Sequence, residues 1–432
     1  MRDFATSDDP LVQIQLDRLA GLSLPQGRIG IEAIRVLLAR LENPQDNLPP
    51  VFHVAGTNGK GSTCAFLRAI LEAEGLRVHA TTSPHLVRYN ERIRIAGELI
   101  EDAALAALLA EVLDTAQGLA ISFFEVTIAA AFLAFSRHAA DACVIEAGLG
   151  GRFDATNVIA RPVVCGIATL GIDHEQFLLA PEDGTPKDPL ARIAFEKAGI
   201  AKAGVPLVTQ AYPPAATHEI IAAARRNGAS LRMRGQAWSG SADDLNFTYR
   251  DETVDLEFPC PPMAGAHQVD NALLAIAMLR SQDTIKVDVP AIGQGLRNVR
   301  WPARLQRLGP GSLTALAPGR DIWLDGGHNR DAGAAIARHF SGKRLHLIIG
   351  MLASKEPSAM IAPLAATTVS TTAVPIPGHE HHDAGSFGPD AIAAPDVIAA
   401  RSHLPDDGLP VLICGSLYLA GEVLRLNDEL PD

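Results

Sequence analysis

Short apolar runs that read as strands alternate with helical patterns along almost this whole chain, and no other feature narrows its fold as much. Residues 51–54 form one such run, and 62–74 then carry a helical pattern that stops at Gly75. Residues 77–81 read as extended, 125–138 have a helical apolar face, and 143–146 and 163–168 are apolar runs bounded by Gly or Pro. Residues 191–202 read as helix and 207–209 as strand. Such alternation predicts an α/β fold built on a mostly parallel sheet flanked by helices. Residues 245–258 differ. They alternate polar and apolar across the turn Asp251-Glu252, which predicts an antiparallel hairpin, followed by a helix at 269–279.

Beyond 297–301 a second alternation begins. Strands are expected at 322–324, 345–349, 371–374 and 411–413. Helices are expected from Asp331, near Glu356, near Asp390 and over 417–426. A chain of 432 residues accommodates two domains. The expected division is 1–298, with a P-loop-type mostly parallel sheet, and 299–432, a smaller Rossmann-like α/β domain. The smaller part has no G-x-G-x-x-G, so a dinucleotide role has no support. Residues 181–189 are rich in Pro, Asp and Gly and read as a surface excursion that a tight turn could replace.

Charge and cysteine usage limit the function classes. The net charge of −12 argues against nucleic acid as a partner, because a phosphate backbone rewards a basic face. Small anionic substrates stay open, since a local arginine cluster can outweigh the global sign. The five cysteines, Cys64, Cys143, Cys165, Cys260 and Cys414, are scattered and form no C-x-x-C pair. Free thiols in a reducing, cytoplasmic compartment are the expectation. No apolar run reaches the roughly 18 residues of a membrane span, and the polar, acidic residues 1–10 do not read as a signal peptide.

The chemistry concentrates at residues 51–63. A strand ends, the turn Gly56-Thr57-Asn58-Gly59-Lys60-Gly61 comes next, and a helix begins near Ser62 and Thr63. Glycines let backbone N–H groups turn inward around a polyphosphate, and a helix N-terminus adds partial positive charge. Lys60 can reach the β- and γ-phosphates. The segment departs from G-x-x-x-x-G-K-[ST], with Val54 at the first Gly and Gly61 at the Ser/Thr. Glu146 ends another apolar run at a Gly-rich turn. It is placed either to ligate Mg²⁺ near the phosphate loop or simply to cap that turn. Arg88 and Arg92 flank Tyr89, which suits a flat anionic aromatic substrate or a solvated charged loop. Residues 378–383 (Gly-His-Glu-His-His-Asp) look metal-binding by composition, against the plainer reading of a polar loop.

The loop at Gly56–Ser62 has the form found in the Mur ligase superfamily. Nearly the whole chain resembles one branch, the folylpolyglutamate synthase/dihydrofolate synthase family. The resemblance is carried by residues 82–93, 123–127, 146–157, 196–200 and 324–329, in the expected order. It implies an ATP-dependent carboxylate–amine ligase that adds L-glutamate to dihydropteroate or to reduced folates such as tetrahydrofolate through an acyl phosphate.

The resemblance also implies roles for residues. Lys60, Glu146, His174 and Lys197 are the implied catalytic group. Ser83, Glu146 and His174 would ligate one or two Mg²⁺. Gly56, Thr57, Asn58, Gly59, Lys60, Gly61 and Ser62 would hold ATP, helped by Gln268 and Asn271. Arg304, Asp325 and His328 would add nucleotide contacts from the smaller domain, so that ATP sits between the two. The family commonly has Gly where this chain has Ala303. Gly27, Arg28, Ile29 and Gly30 would touch the pteroyl part, with Arg88, Ser122, Phe123 and Phe124 beside it. Glu125 and Asp154 would accept pterin N–H groups, with Phe153 and Ala155 alongside. Lys197 is the position where these enzymes place a carbamylated lysine. A monomer is expected, with no nucleic-acid or membrane partner.

Two rival readings compete with this one. The first is a ligase of the same superfamily acting on a UDP-linked cell-wall precursor. Such enzymes carry a domain before the phosphate loop, and Gly56 leaves too little chain for it. The second is a nucleotide-binding switch, which needs the phosphate loop but not Ser83, Glu146 and His174 together.

Overall fold

The computed structural model describes residues 6–22 and 30–431. The chain divides into two compact units. The first comprises 1–84, 88–262 and 268–299, and the second comprises 85–87, 263–267 and 300–432. The short segments 85–87 and 263–267 thus belong with the C-terminal part, a detail that a single cut near 298 misses.

The first unit is built on eight strands: β1 (Val51–Ala55), β2 (Val78–Thr81), β3 (Ile93–Ile95), β4 (Glu98–Leu99), β5 (Ala142–Glu146), β6 (Val164–Ile167), β7 (Pro206–Thr209) and β8 (Ser230–Met233). Their order in the sheet is β4-β3-β2-β5-β1-β6-β7-β8. From β2 to β8 all neighbours run parallel, and only the two pairings of β3, with β2 and with β4, are antiparallel. Every residue of β1, β2, β5 and β6 is buried. That explains why these strands read as continuous apolar runs rather than as alternating ones.

The expected hairpin is part of a three-stranded antiparallel sheet of β9 (Trp238–Ala242), β10 (Asn246–Asp251) and β11 (Asp255–Pro259). Strand β9, Trp-Ser-Gly-Ser-Ala, has no alternation of its own and exists through its pairing with β10.

The second unit holds β12 (Gln306–Arg307), β13 (Ile322–Leu324), β14 (Leu345–Ile349), β15 (Thr368–Ala373), β16 (Ile392–Ala393) and β17 (Val411–Cys414), in the order β12-β13-β17-β14-β15-β16. All neighbours are parallel except β12 and β13. The helix expected near Asp390 is instead the short strand β16, and the helix begins later, at Val397–Ser402. Asp396 sets that start, because its side chain accepts from the N–H of Ala399 as an N-cap.

The helix expected over 191–202 is also corrected. It runs Pro189–Lys197, capped by Asp188, and passes into a 3₁₀ turn at Ala198–Ile200. Gly199 lies in that turn, and a Cβ there would collide with Arg152. Residues 181–189 are not a free excursion either, because Glu182 is tied to Arg152 and Arg192. No helix among the described residues is long and apolar enough to cross a membrane.

Candidate active site

Parallel pairing brings the C-terminal ends of the central strands to one edge of the first sheet. In register, Val54 stands beside Glu146, Ala55 beside Ile167, and Thr81 beside Ile145. The strand ends therefore deliver their functional groups to one place: the phosphate loop after β1, Ser83 after β2, Glu146 closing β5, and Asp173 and His174 in the segment after β6. Open parallel sheets bind ligands at this edge.

The loop after β1 is held from outside. Thr57 and Asn58 N–H both donate to Thr169 O, at 2.8 and 3.3 Å. Thr57 Oγ1 donates to Gly171 O at 2.8 Å. These two N–H groups are thus engaged, and the expected cradle moves to the start of the helix Lys60–Ala73. Its first intrahelical bond runs from Thr63 N to Gly59 O at 2.8 Å, which leaves the N–H groups of the first turn facing outward from the helix end. Gly59 carries φ +82°, and a Cβ there would run into the Asn271 amide. Only glycine satisfies both demands. Asn271, whose Nδ2 donates to Gln268 Oε1 at 3.0 Å, is thereby brought against the phosphate loop.

Glu146 is 5% exposed and accepts from Ser83 N–H at 3.1 Å. Two of the three expected metal ligands are therefore adjacent. Burial, reinforced by Glu146 and opposed by Lys60, pushes the Cys64 thiol well up, so both charges lie near that thiol. His174 has φ +54°, an uncommon conformation for a residue with a Cβ, and its N–H donates to Asp173 Oδ1 at 2.8 Å. The buried Glu146 carboxylate at the strand end is the kind of oxygen ligand that a divalent cation such as Mg²⁺ takes. Among the described residues no three or more His, Cys, Asp or Glu side chains gather as a metal cluster, here or elsewhere. In the 378–383 loop, His379 and His381 donate to the carbonyls of Pro377 and His379, and His382 to that of Lys355.

Lys197, at the end of its helix, is 4% exposed, and its Nζ donates to Gly56 O at 2.8 Å. Burial lowers its pKa to about 7, and Lys60 pushes the same way against Asp154, Asp173 and Glu196. Asp173 is a neighbour of this site that its residue type alone did not mark, although it directly precedes His174.

The expected folate residues divide. Gly27, Arg28 and Ile29 lie outside the described residues. Arg88 is exposed at the start of the 3₁₀ turn Tyr89–Arg92. Arg92 is no loop charge: it is 1% exposed, with its guanidinium 5.4 Å from the ring centres of both Tyr89 and Phe123. Glu125 is engaged through one carboxylate oxygen: Ser122 N–H and Oγ both donate to its Oε2, at 2.9 and 2.7 Å, in a capping box. Phe124 lies over Gly148, where a Cβ would collide with its ring.

Asp154 is buried, which raises its pKa, and it is anchored to its own turn. It accepts from Leu149 N–H at 2.7 Å, Thr156 N–H at 3.0 Å and Thr156 Oγ1 at 2.5 Å. Thr156 Oγ1 in turn meets His53 Nε2 at 2.8 Å. A histidine inside an apolar strand was the signal for this link. Phe153 stacks under Arg152 at 4.2 Å, and Ala155 begins the 3₁₀ turn Ala155–Val158.

In the second unit, Asp325 comes directly after β13. Its carboxylate accepts from Leu305 N–H at 2.8 Å and Gly327 N–H at 2.7 Å, so it shapes the turn that carries Arg304. Ala303 has φ +56°, the region glycine occupies without cost. His328 Nδ1 donates to Gly326 O at 3.2 Å.

Compared with known proteins, the chain is 32% identical over 433 residues to the dihydrofolate synthase/folylpolyglutamate synthase of Bacillus subtilis, covering 92% of this chain and 94% of that one. It belongs to the folylpolyglutamate synthase/dihydrofolate synthase family. No family model matches the chain. A Haloferax volcanii relative, a probable bifunctional folylpolyglutamate synthase/dihydropteroate synthase, is 33% identical, and the chain spans 48% of its length. Among solved structures, E. coli FolC in complex with DHPP and ADP superposes with a TM-score of 0.86 at 29% identity, covering 98% of each chain. A bifunctional folylpolyglutamate synthase/dihydrofolate synthase with Mn, AMPPNP and L-glutamate bound gives 0.83 at 29% identity, covering 98% and 99%. The α/β two-unit fold is the fold of this family. These relatives are named for folate chemistry, which removes the rival reading of a ligase for UDP-linked cell-wall precursors.

Proposed function

We propose that this folylpolyglutamate synthase/dihydrofolate synthase family member is an ATP-dependent ligase that joins the amine of L-glutamate to the carboxylate of dihydropteroate and of reduced folates. The observation that carries the reading is the convergence of three features on one sheet edge: the Lys60 helix start, the Ser83–Glu146 pair and Lys197 against Gly56.

The chain's own groups account for each stage. The N–H groups at Lys60, Gly61 and Ser62 bind the terminal phosphates of ATP, and the Lys60 ammonium offsets their charge. A substrate carboxylate oxygen attacks the γ-phosphorus, the bond to the ADP oxygen breaks, and an acyl phosphate forms. The glutamate amine attacks the acyl carbon and the C–N bond forms, the amine loses a proton, and the acyl C–O bond breaks so that phosphate leaves with its electron pair. Positioning and charge stabilisation are the protein's main contributions. Ser83, Glu146 and His174 would hold a divalent metal ion, which when bound neutralises phosphate oxygens.

Lys197 is the residue we assign to carbamylation. Its near-neutral amine can attack CO₂, and the resulting carbamate keeps an N–H for Gly56 O. Gln268 and Asn271 are assigned to ATP in the first unit. For the second unit, the assignment of Arg304, Asp325 and His328 to the nucleotide stands on resemblance. Arg88, Ser122, Phe123 and Phe153 are assigned to the folate. We read the enzyme as a cytoplasmic monomer.

The test is purified protein with ATP, Mg²⁺ and labelled glutamate, with dihydropteroate and tetrahydrofolate offered separately. ADP release that requires both glutamate and a folate acceptor is expected for each. ATP turnover independent of either substrate would overturn the reading, and turnover with tetrahydrofolate alone would remove the dihydropteroate half.

A further inference from the structure

Glu182 lies in the segment that precedes the helix Pro189–Lys197, and it closes a ring of four charges. Its carboxylate accepts from Arg152 Nη1 and Nη2 at 3.1 and 2.5 Å, and from Arg192 Nη2 at 3.0 Å. Both arginines also hold Glu196 Oε1, Arg152 at 2.8 Å and Arg192 at 2.9 Å. The signs alternate around the ring and cancel. Arg192 and Glu196 are 7% and 6% exposed, whereas Arg152 and Glu182 are 23% and 19% exposed. Glu182 therefore forms the outer edge of the ring.

The ring fastens two functional segments together. Arg152 N–H donates to Glu196 O at 2.8 Å, and Asn157 Nδ2 donates to Arg152 O and Gly199 O at 3.1 Å each. A Cβ on Gly151 would meet Lys197 O at 2.7 Å, so the turn fits against the helix end only without a side chain there. Arg152 is further clamped between Phe153 and Phe195, 4.2 and 4.8 Å from the ring centres. The turn that carries Phe153 and Asp154 is thus fastened to the helix end that carries Lys197. Without Glu182 two guanidinium groups would compete for one carboxylate, and the ring beside Lys197 would become net positive.

We propose that Glu182 is a positioning residue for the ligase reaction: by closing this ring it holds the 148–154 turn and Lys197 in register with the phosphate loop. This rests on the ligase reading. The segment around Glu182 is then a clasp rather than a spacer.

The experiment compares wild type with Glu182→Gln, which keeps the shape and removes the charge. Steady-state kinetics with ATP, glutamate and folate are normalised to folded protein. In parallel, acetylation of Lys197 by acetic anhydride is followed by mass spectrometry, a readout that needs no turnover. The expected result is a fall in kcat of about tenfold with each KM within about twofold, together with Lys197 acetylation several-fold faster than in wild type. Glu182→Asp should recover part of kcat. Unchanged kcat and unchanged Lys197 labelling would overturn the proposal, and so would a variant that yields no folded protein, since Glu182 would then serve folding alone. Wild type without ligase turnover defeats the ligase reading, and the Lys197 labelling then decides the clasp by itself.

Discussion

The Nζ of Lys197 donates to the carbonyl oxygen of Gly56 at 2.8 Å, joining positions 141 residues apart in sequence. One partner ends a buried helix and the other opens the phosphate loop. The contact therefore ties a titratable amine to the backbone that receives the nucleotide.

Lys197→Ala should abolish most activity, and added acetate or formate should restore part of it by supplying the missing carboxylate. Glutamate-dependent ADP release with and without the short acids is the measurement. A mutant that works normally without rescue would eliminate the carbamate.

The same lysine predicts a pH trend in stability. Its folded pKa, about 7, lies below the ordinary 10.5. Between these values the unfolded chain binds the extra proton, so stability rises with pH through the window and is lowest below about 7. Urea denaturation of wild type against Lys197→Met should show the variant's relative advantage shrinking from pH 6 to pH 9. A constant difference would mean that the amine is not desolvated in the folded protein.

Glu146→Gln keeps shape but removes a buried charge at the strand end. Turnover should fall by roughly two orders of magnitude or more, as for other lost electrostatic stabilisers. Turnover close to wild type at ordinary Mg²⁺ would remove Glu146 from the metal site.

By residue type and spacing, Arg92 is either a substrate-binding arginine, whose loss mainly raises the folate KM, or a charge in a solvated loop. Its burial between Tyr89 and Phe123 changes the expectation. Arg92→Ala should cost about 2–4 kcal/mol of folding stability through lost packing and cation–π contact. Denaturant melts decide this. A stable variant with only a weaker KM would restore the substrate-binding role.

Thr156 bridges His53 and Asp154, so Thr156→Val should cost roughly 1–3 kcal/mol by leaving buried partners unmet. Burial, and to a lesser degree Lys202, lowers the His53 pKa to about 3. Between pH 6.5 and 3 the unfolded chain takes up a proton that the folded one refuses, so stability drains away as pH falls through that range. A His53→Asn variant should lose less stability than wild type between pH 6.5 and 4. Parallel pH profiles would show that His53 is not held neutral.

The α/β class, most strand and helix positions and the loop at Gly56–Ser62 were legible in the residues alone. These depend on periodicity and turn chemistry over a few neighbouring positions. Lys60 at a helix start and Glu146 at a strand end could be placed in the same way, and parallel pairing necessarily gathers strand ends on one edge. Strand β9 could not be read so, because only its partner makes Trp-Ser-Gly-Ser-Ala a strand. The break at Ala198 belongs with it, because Arg152 occupies the space beside Gly199. The partners of polar side chains were likewise beyond local reading: Glu125 turns back onto Ser122, Arg92 enters the core, and Glu182 meets arginines 30 and 10 residues away. A charged group's role depends on burial and on which opposite charge the fold brings within about 3 Å. Both are set by residues distant in sequence, and so they were settled only when the chain closed on itself.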